Sequence, residues 1–157
     1  MDSKEQFMLK AIQLAERNLQ QGNGGPFGAV VVKEGKIIGK GINSVTSTLD
    51  PTAHAEINAI RDACRNLGDF QLEDCEIYSS CEPCPMCLGA IYWARPKKLY
   101  FAASRRDAEQ AGFDDTKIYE ELCMDHNERE IPNEQLLREE ARKVFETWNK
   151  LENKIEY

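Results

Sequence analysis

The sequence predicts a single α/β domain of three layers, with helices on both faces of a mixed β-sheet. Three observations support this prediction. The chain has 157 residues, enough for one compact domain with its own core. Apolar residues recur at helical spacing in several segments and form short β-branched runs between them. The predicted order of these segments is α-β-β-α-β-α-β-α, a hairpin followed by alternating strands and helices.

The first half of the chain predicts a helix, a hairpin and a second helix. Apolar residues on one helical face indicate a helix over residues 5–20. Two β-branched runs on either side of a short Glu-Gly turn are typical of a hairpin, with strands at 28–33 and 36–39. A polar segment follows, and the second helix is predicted to open at Pro51 and to end at Gly68.

The second half continues the alternation of strands and helices. Strands are predicted at 75–80 and 98–103, and between them a helix begins at Pro85. Residues 104–131 are polar and irregular, with one or two short helices expected there. A last amphipathic helix follows. Its apolar face consists of Leu137, Ala141, Val144, Phe145, Trp148 and Leu151.

Composition and charge narrow the possible partners and the cellular location. The formal net charge is −7, which disfavours nucleic acid as a partner because Lys and Arg side chains must neutralise its phosphates. No apolar run approaches the ~20 residues of a membrane span, and the first residues do not resemble a signal peptide. We therefore expect a cytoplasmic protein. In that compartment six cysteines indicate metal ligands, catalytic groups or small core residues rather than disulfides.

Two short motifs, each at a predicted helix start, carry the chemistry. The first is Thr52-Ala-His54-Ala-Glu56 and the second is Cys81-Glu-Pro-Cys84-Pro-Met-Cys87. A thiolate is stabilised at a helix N-terminus, and zinc accepts imidazole and thiolate ligands together. One His and two Cys would bind one Zn²⁺ and leave a fourth position for water, and Glu56 would carry protons. Residues i and i+2 do not share a helix face, so this interpretation requires the metal to lie beyond the helix end.

A structural zinc site is the main alternative. Cys81, Cys84 and Cys87 are spaced C-x2-C-x2-C, and with His54 they could form a closed site without catalysis in an interaction module. We favour the open site because a chain of this length has its own core. Cys81 also ends a predicted strand, where a small buried side chain is common.

The remaining cysteines and the second histidine receive simpler interpretations. Cys64 and Cys75 are expected in the core, and His126 in solvent. Cys123 receives no role.

The two motifs match the H-x-E and P-C-x-x-C pattern of zinc deaminases, in which the Glu is an acid/base and not a ligand. Beyond this pattern, the chain resembles the bacterial guanine deaminases of the cytidine-deaminase-like superfamily. The similarity covers roughly residues 5–120, and the Gly-Phe-Asp-Asp segment at 112–115 and the final Tyr157 point to the guanine branch. The segments that carry the resemblance are 25–30, 50–56, 84–96, 111–115 and 155–157.

The resemblance implies an architecture and a set of residue roles. It implies a five-stranded α/β/α sandwich and a homodimer in which the C-terminal segment, about residues 121–157 of the single domain 1–157, is exchanged between subunits. His54, Cys84 and Cys87 would bind one zinc ion per chain, and Glu56 would transfer protons. The residues implied to contact the base are Asn43 by a hydrogen bond, Phe27 by ring packing, Asp115 at the polar edge, and Tyr157 of the partner subunit.

The expected reaction is the hydrolysis of guanine to xanthine and ammonia. Another purine or pyrimidine, such as guanosine or cytosine, remains an alternative substrate. A tRNA adenosine deaminase would carry the same zinc motifs, but the acidic chain suits a polyanion poorly. The sequence therefore favours a small purine substrate.

Overall fold

A computed structural model describes residues 2–157, which fall into two compact units. The first unit ends at Asp115 and the second comprises Thr116–Tyr157. The elements of the first unit are α1 (Ser3–Gln21), β1 (Gly28–Lys33), β2 (Lys36–Ile42), α2 (Val45–Thr48), α3 (Ala55–Leu67), β3 (Cys75–Cys81), α4 (Pro85–Ala94), β4 (Lys98–Ala103) and α5 (Arg105–Gln110).

The sheet is mixed, with strand order β2-β1-β3-β4. β1 pairs antiparallel with both β2 and β3, and β3 pairs parallel with β4. The register places Ala29 opposite Gly41 on one side and opposite Ser79 on the other. The residue pattern also predicted four strands. The fifth strand, which only the family resemblance implied, is wrong for the described residues.

The segment after β4 begins with a helix cap. The Ser104 side chain accepts a hydrogen bond from the Asp107 N–H, and the Asp107 side chain accepts one from the Ser104 N–H, which is a capping box. The chain therefore enters the helix α5 directly.

Helices cover both faces of the sheet, as the sequence predicted. On one face, Ala29, Val31 and Ile77 pack against α3 and α4. On the other face, Val30 and Val32 pack against residues of α1. Successive side chains of β1 point to opposite faces of the sheet, so its continuous apolar run contributes to both cores. This is expected for a strand that is buried on both faces.

α3 lies directly on the backbone of β2. A Cβ atom added at Gly41 would stand 2.0 Å from the Ala55 carbonyl oxygen and 2.4 Å from the Ala59 nitrogen. Only glycine leaves space for this approach. The contact determines where the first turn of α3 lies.

The start of α3 differs from the prediction, which opened this helix at Pro51. The Asp50 carboxylate accepts hydrogen bonds from the Thr52 N–H at 2.8 Å and from the Thr52 hydroxyl at 2.7 Å, which holds this stretch in a turn. The helix begins only at Ala55, and His54 is its extended N-cap residue. The polar segment before Pro51 also contains the short helix α2.

The second unit contains α6 (Thr116–Leu122), a 3-10 turn (His126–Glu128) and α7 (Arg138–Lys150). The Arg129 side chain donates to the Glu121 carbonyl at 3.0 Å, and the Glu130 N–H donates to the Glu121 carboxylate at 3.0 Å. These two bonds join α6 to the segment that follows the turn. As predicted, α7 is amphipathic, and His126 is exposed.

None of the helices among residues 2–157 is both long enough and apolar enough to cross a lipid bilayer.

Candidate metal centre and active site

Two helix N-termini meet at a cluster of His54, Cys84 and Cys87. His54 is the N-cap residue of α3 and Cys84 is the N-cap residue of α4, with Cys87 in the first turn of α4. The potential ligand atoms of the three residues all lie within 4.8 Å of one another. Within residues 2–157 this is the one such group of three or more His, Cys, Asp or Glu side chains.

The distances in this cluster fit a tetrahedral zinc ion. The His54 Nδ1 atom lies 3.5 Å from the Cys84 sulfur and 3.4 Å from the Cys87 sulfur. Bonds of ~2.3 Å to sulfur and ~2.0 Å to nitrogen at the tetrahedral angle place each sulfur ~3.5 Å from the nitrogen. The donor set of one imidazole and two thiolates is also one that zinc prefers.

The pKa values of the Cys84 and Cys87 thiols are shifted in opposite directions. A hydrogen bond from Cys87 and the neighbouring His54 ring lower the pKa of Cys84 to about 4. The same hydrogen bond to Cys84, together with burial, raises the pKa of Cys87 above its ordinary value. Contact with Cys84 raises the pKa of His54. A bound divalent cation would favour the ionised form of both thiols and the neutral imidazole.

Glu56 lies beside this cluster and is only 6% exposed. The Ser79 hydroxyl donates to its Oε1 atom at 3.3 Å, and its Oε2 atom lies 3.4 Å from the Cys87 sulfur. Burial raises the pKa of Glu56, so this carboxyl can hold a proton more readily than an exposed one. A buried carboxyl with a raised pKa is a suitable proton carrier.

The N-cap position of His54 explains how His54 and Glu56 both reach the cluster. The backbone of His54 is extended, with φ −71° and ψ 157°, so its side chain is not bound by the helical repeat that separates residues i and i+2. A metal bound here would lie beyond the end of α3, as the sequence interpretation required.

Cys81 does not belong to the cluster. It is buried at the end of β3, and its thiol donates to the Ser104 carbonyl at 3.7 Å. Burial raises the pKa of Cys81 to about 11, which disfavours the thiolate. This agrees with the expectation of a small buried side chain. The expectation for Cys75 and Cys64 also holds, since Cys75 is in the core and Cys64 packs against it.

Asn43 and Phe27 lie on adjoining segments. The Asn43 N–H donates to the Phe27 carbonyl at 3.2 Å. The Oδ1 atom of Asn43 accepts from the Gly25 N–H at 3.1 Å and from the Val45 N–H at 3.2 Å. The Nδ2 group therefore remains the donor that Asn43 can offer to a ligand. The Phe27 ring packs edge-on against the Phe113 ring at a centroid distance of 4.9 Å.

Asp115 and Tyr157 fall in different units. The Asp115 carboxylate lies 3.9 Å from the Arg105 Nε atom, and its side chain is 16% exposed. Burial raises the pKa of Asp115 and the Arg105 charge opposes this effect, while the charge of Cys84 acts in the same direction as burial. Asp115 thus lies close enough to Cys84 for the charge of this residue to affect it. Tyr157 belongs to the second unit, where it is 69% exposed.

Sequence reasoning missed two buried polar residues near these groups, Ser79 and Asn18. Ser79 follows Cys75 and Ile77 at alternate positions of β3 and therefore lies on the same inward face. A polar residue on this otherwise apolar face could have indicated a functional role from the sequence. Asn18 shares the buried face of α1 with two alanines, so it too is a polar residue on an apolar face.

Comparison with known proteins agrees with this geometry. Residues 1–103 match the family model described as the cytidine and deoxycytidylate deaminase zinc-binding region. A guanine deaminase from Bacillus subtilis (strain 168) is 54% identical over 153 residues, which cover 98% of each chain.

Two further comparisons extend this result. The X-ray structure of guanine deaminase from Bacillus subtilis superposes with a TM-score of 0.96 at 54% identity, covering 100% of this chain and 99% of the other. A tRNA-specific adenosine deaminase from Aquifex aeolicus (strain VF5) is 48% identical over 100 residues, which are 64% of this chain and 66% of the relative. The chain therefore belongs to the zinc-binding family of cytidine and deoxycytidylate deaminases, an enzyme family of hydrolases.

Proposed function

We propose that this protein hydrolyses guanine to xanthine and ammonia in a zinc-dependent reaction. The observation that carries the proposal is the buried Glu56 carboxyl, 3.4 Å from a sulfur of a His-Cys-Cys cluster whose spacing fits tetrahedral zinc. Near full-length similarity to a guanine deaminase supports the choice of base.

His54, Cys84 and Cys87 are proposed to hold the zinc ion, one per chain. When bound, zinc would supply a Lewis acid that makes water a nucleophile near neutral pH. Three protein ligands leave a fourth position, which distinguishes this arrangement from a closed structural site. The separation of Cys81 from the cluster supports the open arrangement.

Glu56 is proposed to move the protons of the reaction. It would take a proton from the attacking water and pass it to a ring nitrogen of the base. It would then take a second proton from the hydroxyl group added to the base and pass it to the departing amino group, which leaves as ammonia. Its burial allows it to hold a proton between these transfers, and the Ser79 hydroxyl at 3.3 Å orients the carboxyl group. Exclusion of bulk water strengthens each of these interactions.

Asn43, Asp115 and Phe27 are proposed to hold the base. Asn43 offers N–H donors, because its side-chain oxygen is already engaged by two backbone N–H groups. An ionised Asp115 offers acceptors. Guanine presents both ring-edge acceptors and an amino donor, so the two residues complement it. Phe27, whose ring is steadied by Phe113, would pack on the face of the base.

The C-terminal residue Tyr157 is proposed to complete the pocket of a second subunit. This requires a homodimer in which the segment of about residues 121–157 is exchanged within an otherwise single domain. The exposed apolar face of α7, which includes Val144 and Phe145, supports an exchange because such a face gains stability when another chain covers it. We also propose a cytoplasmic location, where the six free cysteines would stay reduced.

A second candidate is deamination of adenosine in tRNA, which the similarity to a tRNA-specific adenosine deaminase favours. Two observations weigh against it. The aligned region covers 64% of this chain, whereas the similarity to the guanine deaminase covers 98%. The net charge of −7 also opposes binding to a polyanion.

The test is ammonia release by zinc-loaded protein from guanine, guanosine, adenine, cytosine and a tRNA. Release from guanine is expected, and Glu56→Gln should reduce it at least about 100-fold while zinc content stays the same. Glu16→Gln makes the same change on the exposed surface of α1 and should have full activity. Release from another substrate alone would refute the proposed base specificity, and an active Glu56→Gln variant would refute the role of Glu56.

A further inference from the structure

Asn18 is a polar residue at a core position of α1. Together with Ala11 and Ala15 it forms the buried face of this helix, and it is 0% exposed. Its Nδ2 group donates to the Gly25 carbonyl and to the Asn43 carbonyl, both at 2.8 Å. Because both partners are acceptors, the orientation of the amide is determined without ambiguity.

The other end of the same amide is unsatisfied. The Oδ1 atom of Asn18 is the one fully buried side-chain oxygen or nitrogen within residues 2–157 that has no hydrogen-bond partner. A buried acceptor without a partner destabilises a fold, and an apolar residue beside Ala11 and Ala15 would avoid this cost. The presence of Asn18 is therefore explained by what its Nδ2 group holds.

The two carbonyls held by Asn18 belong to the segments that carry the proposed base-binding residues. Gly25 precedes Phe27 by two residues, and the Phe27 carbonyl accepts from the Asn43 N–H. The Gly25 N–H in turn donates to the Asn43 side chain. Gly25 is thus held at its carbonyl by Asn18 and at its N–H by Asn43.

This closed set of hydrogen bonds leaves the Asn43 side chain one orientation. Its Oδ1 atom faces the N–H groups of Gly25 and Val45, so only its Nδ2 group is available to a ligand. A side chain held in this way presents donors and no acceptor. It selects a base that has an acceptor at the corresponding edge.

We propose that Asn18 is a positioning residue for the substrate, acting through the side chain of Asn43. This inference rests on the proposed role of Asn43 in binding the base. Asn18 itself does not touch the substrate. It fixes the backbone of both segments before the base arrives, so that the donors of Asn43 need no rearrangement on binding.

A double-mutant cycle tests the inference. Asn18→Leu removes both Nδ2 donations with little change of volume. Asn43→Asp keeps an oxygen for the N–H groups of Gly25 and Val45 but replaces the donor that faces the base. In the wild-type background, Asn18→Leu should raise KM for guanine about tenfold or more with full zinc content. In the Asn43→Asp background, the same change should alter KM less than about threefold.

A purely structural role predicts a different result. A general loss of folded protein or of zinc would lower kcat by the same factor in both backgrounds and would leave KM unchanged. Asn66→Leu is a control for the loss of a side-chain hydrogen bond to a backbone carbonyl, because the Nδ2 group of this exposed residue donates to the Ile38 carbonyl at 2.8 Å. This control should leave KM unchanged.

The outcomes separate the inference from the function on which it rests. A wild-type enzyme that is inactive on guanine would refute both. An active wild-type enzyme with an unchanged KM in Asn18→Leu, or with equal effects in the two backgrounds, would refute the inference alone. If Asn18→Leu does not fold, Asn18→Ala takes its place in the cycle, since the smaller side chain leaves space for water to satisfy both carbonyls.

Discussion

Replacement of Gly41 by alanine is expected to disturb both the stability of the fold and the metal centre. The added Cβ would stand 2.0 Å from the Ala55 carbonyl oxygen and 2.4 Å from the Ala59 nitrogen. Atoms in contact lie roughly 3.5 Å apart, so α3 would have to move about 1.5 Å away from β2. Both clashes are with backbone, and no side-chain rotation relieves them.

The expected loss of folding stability follows from the cost of inserting one carbon atom into a packed core. Such changes cost about 1–3 kcal/mol, and a backbone clash belongs at the upper end of this range or above it. For a chain of this length, a loss of about 3 kcal/mol lowers Tm by roughly 6–12 °C. His54 precedes the helix that moves, and a misplacement of about 1 Å can reduce turnover about 100-fold.

The assay compares Gly41→Ala with Gly89→Ala in thermal unfolding, zinc content and ammonia release. Gly89 lies on the exposed side of α4, and a Cβ there would meet no atom within 4 Å. Gly89→Ala should therefore raise stability by about 0.5–1 kcal/mol, the helical advantage of alanine over glycine. A Gly41→Ala protein as stable and as active as the wild type would refute the reasoning that this contact determines the position of α3.

Three further predictions follow from the site and the core. Cys84→Ala should lose zinc, whereas Cys81→Ala should retain it, and equal losses measured by atomic absorption would instead indicate the closed structural site. Deletion of residues 153–157 should lower guanine turnover at unchanged zinc content, and full turnover would remove Tyr157 from the active site. Burial raises the pKa of Tyr78 above its ordinary value near 10, so the folded state retains the phenol proton more strongly than the unfolded chain. The stability that the protonated Tyr78 phenol contributes is complete below about pH 10 and is lost as pH rises further. The urea midpoint of Tyr78→Phe should therefore fall less between pH 9 and 11 than that of the wild type. Equal changes of the two midpoints with pH would contradict this prediction.

Much of the first unit could be predicted from local patterns. β4 agrees with its predicted bounds because a continuous apolar run lies between two polar segments. The start of α4 follows from Pro85, whose fixed φ angle and missing N–H suit a first helical position. The convergence of His54 with the two cysteines was predicted from motif spacing, since each motif lies at a helix N-terminus.

Other features depend on contacts between distant segments and could not be predicted. The late start of α3 results from the side chain of Asp50, which competes with the helix for the Thr52 N–H. The bonds of Asn18 link residues 25 positions apart, so a sequence pattern can mark this residue as unusual but cannot identify its partners. The fifth strand was implied by the family resemblance alone, whereas the residue pattern predicted the four strands that the sheet contains.

Both helices that meet at the proposed metal centre lack a side-chain cap. His54 and Cys84 occupy the N-cap positions of α3 and α4, and neither side chain accepts a hydrogen bond from its helix. Ser, Thr, Asp or Asn at such a position stabilises a helix by about 1 kcal/mol relative to a residue that does not cap. The two helix starts are thus less stable than capped ones. The uncapped N-termini place the positive ends of both helix dipoles next to the cysteines, where they stabilise thiolates.

The missing cap at His54 leads to a prediction about the stability of the metal-free protein. In the presence of a chelator, His54→Asn should be more stable than the wild type by about 1 kcal/mol, because asparagine can cap α3 from the extended backbone that His54 already adopts. With zinc added, the order should reverse, since the wild type has all three proposed ligands and gains more stability from the bound metal. Urea unfolding under both conditions measures the two differences. A chelated His54→Asn protein no more stable than the chelated wild type would show that this N-cap position carries no such cost.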